Sequence, residues 1–148
     1  MKIKEIMTKS PACCLPDTNL REVAHLMLEK DCGAIPVVEN FDTNKPVGII
    51  TDRDITVDTL AQGKNALEMS AAEIMSFPVI SLSGETTLGE CCKTMETHKI
   101  RRMIVVDETG ACCGIVAQAD IAQTAPMFEA AGLVKEVSTA HQTFSKTV

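Results

Sequence analysis

The segment "VGIITDRDI" at Val47–Ile55 decides the fold, because a close variant, "CGIVAQADI", follows 66 residues later at Cys113–Ile121. Each copy reads as an apolar β-strand that ends in a polar turn and opens a helix. Both copies keep the strand glycine and the turn aspartate, but Ala117 replaces the threonine at position 51. We therefore expect the fold to use one strand–turn–helix unit twice, with one chemical difference.

The repeat extends to both sides of these segments. An offset of 68 residues pairs "EIMT" at Glu5–Thr8 with "EIMS" at Glu73–Ser76, and Val37–Val38 with Val105–Val106. The offset falls to 66 at the opening segments, so the first copy has two extra residues in the turn "ENFDTNKP". One copy is too small to bury a good core, so we expect the two to pack with pseudo-twofold symmetry.

Each copy is predicted to be β-α-β-β-α, which gives an α+β fold. The first extended pieces are "PACCL" and "PVISL", and the helices after them begin with predicted capping boxes at Asn19-x-x-Glu22 and Thr87-x-x-Glu90. Two Val- and Ile-rich strands and a second helix follow. We place repeat 1 at residues 1–63, a linker at 64–70, repeat 2 at 71–125, and a C-terminal helical extension and tail at 126–148.

Composition excludes several classes of function. The net charge is −6, the pI is near 5.0, and the chain has four Phe but no Tyr or Trp. DNA, RNA and anionic membranes need a basic surface, and base stacking needs aromatic side chains. We see no membrane span, signal peptide or catalytic motif, and His25 and His141 are weak candidates for a base. We therefore expect a non-enzymatic cytoplasmic protein with reduced thiols.

The turn after the first repeated strand offers chemistry of its own. Thr51 and Asp54 lie on one side of a first helical turn, where free backbone N–H groups suit an anion. A carboxylate also accepts hydrogen bonds from the two hydroxyls of a ribose. Gly48 allows a neighbouring element to approach the strand closely. The alternative is that Thr51 only caps the helix and Asp54 only complements its dipole.

The two copies together resemble the tandem cystathionine-β-synthase (CBS) domain pair, or Bateman module. The matching stretches, in order, are "IMT" and "IMS", "DTNLREVAHLM", "GAIPVVE", "VGIITDRDI", "HKIRRMIVVD" and "CGIVAQADI", which span roughly Ile3 to Ala122. The resemblance implies a regulatory module that binds an adenosyl ligand such as AMP, ADP, ATP or S-adenosylmethionine in the cleft between the repeats. It also implies a homodimer that signals to an effector protein by a conformational change.

The family signature transfers to this chain residue by residue. The first copy matches completely at Gly48, Thr51 and Asp54, whereas the second keeps Gly114 and Asp120 but has Ala117 in place of the hydroxyl residue. We therefore expect unequal sites, with the stronger one at Thr51–Asp54. The resemblance further implies pockets lined by Ala12, Cys13, Cys14, Ala34, Ile35 and Pro36 in one copy and by Phe77, Pro78, Val79, Arg102 and Met103 in the other.

Phosphate groups on a ligand would need cations. Arg53 follows the first turn, and "HKIRR" at His98–Arg102 is the densest basic stretch of the chain. We favour Arg102, which precedes a strand in a position that faces the cleft in the family. Lys99 and Arg101 are as well explained as cations at a helix end, and His98 as its cap.

Six of the seven cysteines occur as adjacent pairs, none with the C-x2-C spacing of a structural zinc site. Cys91 and Cys92 align with helix core positions, and Cys113 aligns with a strand residue, so small apolar packing is their expected role. Alternation along a strand should turn one of Cys13 and Cys14 inward. A metal-binding or redox-responsive protein remains an alternative, with Cys13, Cys14, Cys112 and Cys113 as candidates, as does an interaction module with vestigial sites.

Overall fold

The computed structural model describes residues Met1–Thr124, and the predicted C-terminal extension at 126–148 lies outside them. The described helices and strands, in chain order, are β1 (Thr8–Lys9), α1 (Leu20–Lys30), β2 (Ala34–Val38), β3 (Pro46–Thr51), α2 (Asp52–Asp58), β4 (Ser81–Ser83), α3 (Leu88–His98), β5 (Arg102–Val106), β6 (Cys112–Ala117) and α4 (Gln118–Thr124). Short 3₁₀ turns occupy Ile3–Glu5, Leu60–Gln62, Ala66–Glu68 and Ala71–Glu73. Within these residues, no helix has the length and apolar character needed to cross a bilayer.

The α+β class is confirmed, and the helix–strand–strand–helix core of each copy lies where the repeat predicts it. The first extended pieces differ from expectation. Cys14 forms only an isolated bridge with Val37, and the strand of the second copy begins at Ser81, past Pro78. Prolines in both pieces lack the N–H that a strand ladder needs, which limits pairing there.

The helix caps also differ between the copies. The capping box of Thr87 and Glu90 is confirmed, with each side chain bonded to the other residue's backbone N–H. The box expected at Asn19 and Glu22 is absent, because the Asn19 carboxamide instead accepts from Arg21 N at 2.7 Å. The capping residue itself is therefore correct at both helices, and only its partner differs.

The chain divides into two compact units that do not follow chain order. The first unit contains Ser10–Ile80 and Glu108–Cys112. The second unit contains Met1–Lys9, Ser81–Asp107 and, of the described residues, 113–124. The opening residues of the chain thus pack with the second repeat, whereas residues 71–80, which begin the second repeat in the sequence, pack with the first.

In the first unit, the antiparallel hairpin of β2 and β3 packs with α1. The core is Cys14, Leu20, Val23, Met27, Ile35, Val37, Ile50, Ala71 and Ile74. The last two come from the start of the second sequence copy, and Ala71 N donates to Thr18 O at 2.8 Å. Ser76 and Ile49 exchange two further backbone hydrogen bonds. The 71–76 segment is therefore part of this core and its hydrogen-bond network.

The second unit contains a four-stranded sheet in the order β1-β6-β5-β4. β1 pairs with β6 antiparallel, and β4 pairs with β5 parallel. Ile3 is completely buried, and its N–H donates to Thr86 O at 3.0 Å. Because Ile3 and Ala71 are 68 residues apart and both fully buried, the two copies use equivalent segments in the same way.

A methionine side chain packs directly against each of the repeated glycines, Gly48 and Gly114. A Cβ built on Gly48 would lie 2.5 Å from the sulfur of Met75, and a Cβ on Gly114 would overlap the sulfur of Met7. Both methionines belong to the repeated "EIM" segments. The close approach expected at Gly48 is therefore confirmed, and each "EIM" segment packs on the glycine strand of the other sequence copy.

Candidate functional site

The turn at the end of β3 is held by reciprocal hydrogen bonds. Asp54 N donates to the Thr51 hydroxyl at 3.1 Å, and Thr51 N donates to Oδ2 of Asp54 at 2.9 Å. Asp52 N donates to Gly33 O at 3.0 Å, which ties the turn to the residue before β2. Asp54 and Thr51 therefore form a capping box. One interpretation from the sequence expected Thr51 to cap the helix, but neither expected the return bond from Thr51 N to Asp54.

The equivalent turn at the end of β6 keeps half of this arrangement. Ala117 N donates to Oδ2 of Asp120 at 2.8 Å, and Gln118 N donates to Arg101 O at 2.8 Å. With alanine at 117, no side-chain hydroxyl accepts from the first turn of α4. The carboxylate is therefore oriented in the same way in both copies, and only the hydroxyl is lost.

Both aspartates keep an acceptor that the turn does not use. Among the described residues, every hydrogen bond to the Asp54 or Asp120 carboxylate is made to Oδ2. Both residues are half-buried, so each carboxylate is partly accessible to a ligand. An ionised carboxylate has about four acceptor sites, enough to receive a pair of hydroxyls while it holds the turn. The capping and ligand interpretations are therefore compatible.

Because a hydroxyl caps the first turn at Thr51 but not at Ala117, we expect two matched variants to change the free energy of unfolding in opposite directions. Thr51→Ala should lower the free energy of unfolding by about 0.5–2 kcal/mol, because Asp54 N loses its side-chain acceptor. Ala117→Thr should raise it by up to ~1 kcal/mol by restoring that acceptor in the second copy. Urea denaturation of the two variants and the wild type measures both changes. A loss of stability in Ala117→Thr would contradict the equivalence of the turns.

A cavity of about 260 Å³ lies beside the second turn. Its lining is Arg101, Arg102, Ala117, Gln118, Ala119 and Ala122. Two cations in the lining suit an anionic group, and the half-buried Arg102 is the one whose role in binding a ligand the sequence favours. The sequence is compatible with Arg101 as a phosphate contact or as a cation at a helix end, and it did not identify Gln118, Ala119 and Ala122 as lining residues. These three residues lie in the first two turns of α4, directly after the repeated turn, and that position in the sequence could have identified them.

The other predicted site residues are distributed unevenly. Cys13 and Cys14 line a larger cavity of about 1020 Å³ on α1, whose lining does not include Thr51 or Asp54. Several residues are buried in the units: Ala34, Ile35, Pro36, Gly48, Met103 and Gly114. Ala12 and Val79 are half-buried, whereas Phe77, Pro78 and Arg53 are exposed. The fully buried side chains of Ile35 and Met103 serve the core, and their sequence pattern could not separate core from pocket.

The cysteines mostly behave as small apolar residues. Cys91 is completely buried, and burial raises the pKa of its thiol to about 12. Of the first pair, Cys14 turns inward, as alternation predicted, and burial likewise raises its thiol pKa to about 12. Within Met1–Thr124, no group of three or more His, Cys, Asp or Glu side chains is arranged to hold a metal ion.

The sequence is similar to a family of known domains along most of its length. The family model for the CBS domain matches residues 3–57 and 71–127. An uncharacterized protein of Methanopyrus kandleri is 35% identical over 126 residues, which span 85% of this chain but only 63% of that protein. The CBS domain-containing protein YhcV of Bacillus subtilis is 36% identical over 130 residues, which span 88% of this chain and 89% of YhcV.

Two solved structures are also similar to this chain in fold and in sequence. Hypoxic Response Protein I, solved with two coordinated zinc ions, matches with a TM-score of 0.74 and 30% identity over 85% of this chain and 100% of that one. The CBS domain pair of protein MJ0100, solved with 5′-methylthioadenosine and S-adenosyl-L-methionine, matches with a TM-score of 0.73 and 28% identity over 83% and 94% of the two chains.

Proposed function

Because this chain belongs to the CBS domain family and carries two CBS domains in tandem, we propose that it is a regulatory module that binds an adenosyl ligand. The observation that carries the proposal is the aspartate of each copy, fixed at the end of a glycine-containing strand by a backbone N–H three residues before it. In this arrangement Oδ1 of Asp54 accepts hydrogen bonds from the ribose hydroxyls. The proposed role is non-catalytic.

The ligand class is supported by the neighbours and by the charges of the chain. A related CBS domain pair was solved with two adenosyl compounds. Arg101 and Arg102 beside the second turn would pair with a phosphate or a carboxylate on such a ligand. Thr51 adds a hydroxyl only in the first copy, so we rank the Thr51–Asp54 site as the stronger one. AMP, ADP, ATP and S-adenosylmethionine are the candidates.

Signalling follows from binding linkage. A ligand that contacts one conformation better than another shifts the population toward it, and an effector protein reads that state. We further propose a cytoplasmic homodimer. Leu28 and Phe41, which border the cavity on α1, are 80% and 63% exposed, and a second chain would cover such side chains.

The test is calorimetry with AMP, ADP, ATP, S-adenosylmethionine and 5′-methylthioadenosine on the wild type and three variants, Asp54→Asn, Asp52→Asn and Asp120→Asn. Asp54→Asn should weaken binding about tenfold, because it removes a charged acceptor but keeps an oxygen for Thr51 N. Asp52→Asn is the matched control, since it makes the same charge change at an exposed position of the same helical turn. Light scattering in the same samples reports the oligomeric state.

Three outcomes would contradict this proposal. If no adenosyl compound binds below millimolar concentration, the module is an interaction domain with vestigial sites. If Asp52→Asn weakens binding as much as Asp54→Asn, the effect is long-range charge and not contact with the ribose. If Asp120→Asn abolishes binding while Asp54→Asn leaves it intact, the ranking of the two sites is reversed.

A further inference from the structure

Two cysteines far apart in the sequence meet in the first unit. The thiol of Cys112 is hydrogen-bonded to the sulfur of Cys13, and the Cys13 thiol also lies 3.4 Å from Pro11 O. These side chains come from residues 99 positions apart, so the contact is made by the fold alone. No role in the proposed adenosyl site requires Cys112, and the pair is therefore open to another explanation.

The backbone around each sulfur is fixed to the β2–β3 hairpin. Cys14 N donates to Pro36 O at 3.0 Å, and Cys14 O accepts from Val38 N at 2.9 Å, which anchors the residue next to Cys13. Cys112 makes two bonds with Asn44, one to its backbone O at 2.8 Å and one from its side-chain amide at 2.9 Å. The backbone that carries each sulfur is thus anchored to the same hairpin.

Cys13 and Cys112 differ in exposure, and we therefore expect their thiols to differ in reactivity. Cys13 is half-buried and lines the cavity of about 1020 Å³, whereas Cys112 is only 7% exposed. The hydrogen bond from Cys112 lowers the pKa of the Cys13 thiol, against the opposing effects of burial and of Cys14. Other titratable groups on that cavity are Arg21, Glu22 and His25. The thiolate is the form that attacks oxidants, and a lowered pKa raises the fraction of Cys13 that is ionised. Cys112 is placed to react with the oxidised Cys13 sulfur.

We propose that Cys13 and Cys112 are a redox-active dithiol that forms an intramolecular disulfide on reaction with a hydroperoxide. The Cys13 thiolate attacks one peroxide oxygen, the O–O bond breaks, and the released alkoxide or hydroxide takes up a proton. The Cys112 sulfur then attacks the sulfenic acid and displaces water. Two thiols are oxidised by two electrons, the peroxide is reduced to an alcohol or to water, and a dithiol reductant reverses the reaction.

The first test is mass spectrometry of the whole chain after stoichiometric hydrogen peroxide. The wild type should lose two titratable thiols and about 2 Da, and digestion under non-reducing conditions should yield one cross-linked peptide joining Cys13 to Cys112. Cys13→Ser and Cys112→Ser should each abolish that cross-link, whereas the matched control Cys32→Ser, at an exposed position, should retain it. The cross-linked peptide is detected in the wild-type protein, so this part of the test does not depend on whether the variants fold.

The second test is the pH profile of alkylation at Cys13, read by peptide mass spectrometry. In Cys112→Ala the midpoint should move upward, because the thiolate loses its hydrogen-bond donor. An unchanged midpoint, a cross-link through Cys14 or Cys32, or oxidation confined to intermolecular disulfides would each overturn the proposal. Because neither test uses an adenosyl ligand, failure here is distinguishable from failure of the proposed function.

Discussion

Ile3→Ala is expected to lower the free energy of unfolding of the second unit by about 2–5 kcal/mol, although Ile3 is only the third residue of the chain. Terminal residues are usually tolerant of change because they are poorly packed. Ile3 is completely buried, and its backbone is bonded to Thr86 O. Truncation removes buried methyl groups and leaves a cavity whose lining loses its packing partners.

Met1→Ala supplies the control, since Met1 is 64% exposed and belongs to the same segment. Hydrogen exchange followed by mass spectrometry should show faster exchange in α3 and in the β1-β6-β5-β4 sheet of Ile3→Ala, and little change in Met1→Ala. Urea denaturation gives the size of the loss. A change below about 0.5 kcal/mol, the range typical of surface substitutions, would show that the first residues do not belong to this core.

Gly48→Ala is expected to destabilise the first unit by about 1–3 kcal/mol, although alanine in place of glycine usually stabilises regular structure. The added Cβ would lie 2.5 Å from the sulfur of Met75, 2.9 Å from its Cγ and 3.1 Å from its Cβ. Movement of the flexible thioether alone cannot relieve a contact that includes the methionine Cβ. The strand or the 71–76 segment must shift, and both belong to the packed core.

The cause is isolated by a double-mutant cycle with Met75→Ala. If the clash is with that side chain, Gly48→Ala should cost markedly less in the Met75→Ala background, and the coupling energy measures the steric term. Gly89→Ala is the control, because a Cβ there meets nothing within 4 Å and lies in helix α3, where alanine should stabilise by roughly 0.5–1 kcal/mol. Additive costs in the cycle would contradict the role assigned to Met75.

Local patterns predicted most of the elements but not all their ends. Apolar spacing gave α1, the Val- and Ile-rich runs gave four strands, and Thr87 with Glu90 gave a helix start. These succeed because hydrophobic periodicity and capping are local properties of consecutive residues. The strands expected at "PACCL" and "PVISL" were shorter or displaced, since pairing there depends on which distant strand offers hydrogen-bond partners.

The repeated turn was predicted for the same reason. Thr51, Asp54 and Asp120 were identified correctly as one repeated turn, because the turn is built from hydrogen bonds three residues apart. The residues predicted to line the pockets include exposed Phe77 and fully buried Ile35, and their contacts with a ligand stay a prediction. A short apolar run has the same sequence pattern whether it faces a ligand or a core, so burial had to come from the fold.

By itself, therefore, the sequence determined the repeated architecture, the family and the chemical difference between the two turns, since all three are carried by residue identity at fixed spacing. Only the tertiary structure decided that Met7 covers Gly114 and Met75 covers Gly48, and that Cys13 meets Cys112. Such contacts join segments that are remote along the chain. No local propensity encodes them, and they form because burial of the whole apolar surface selects one packing.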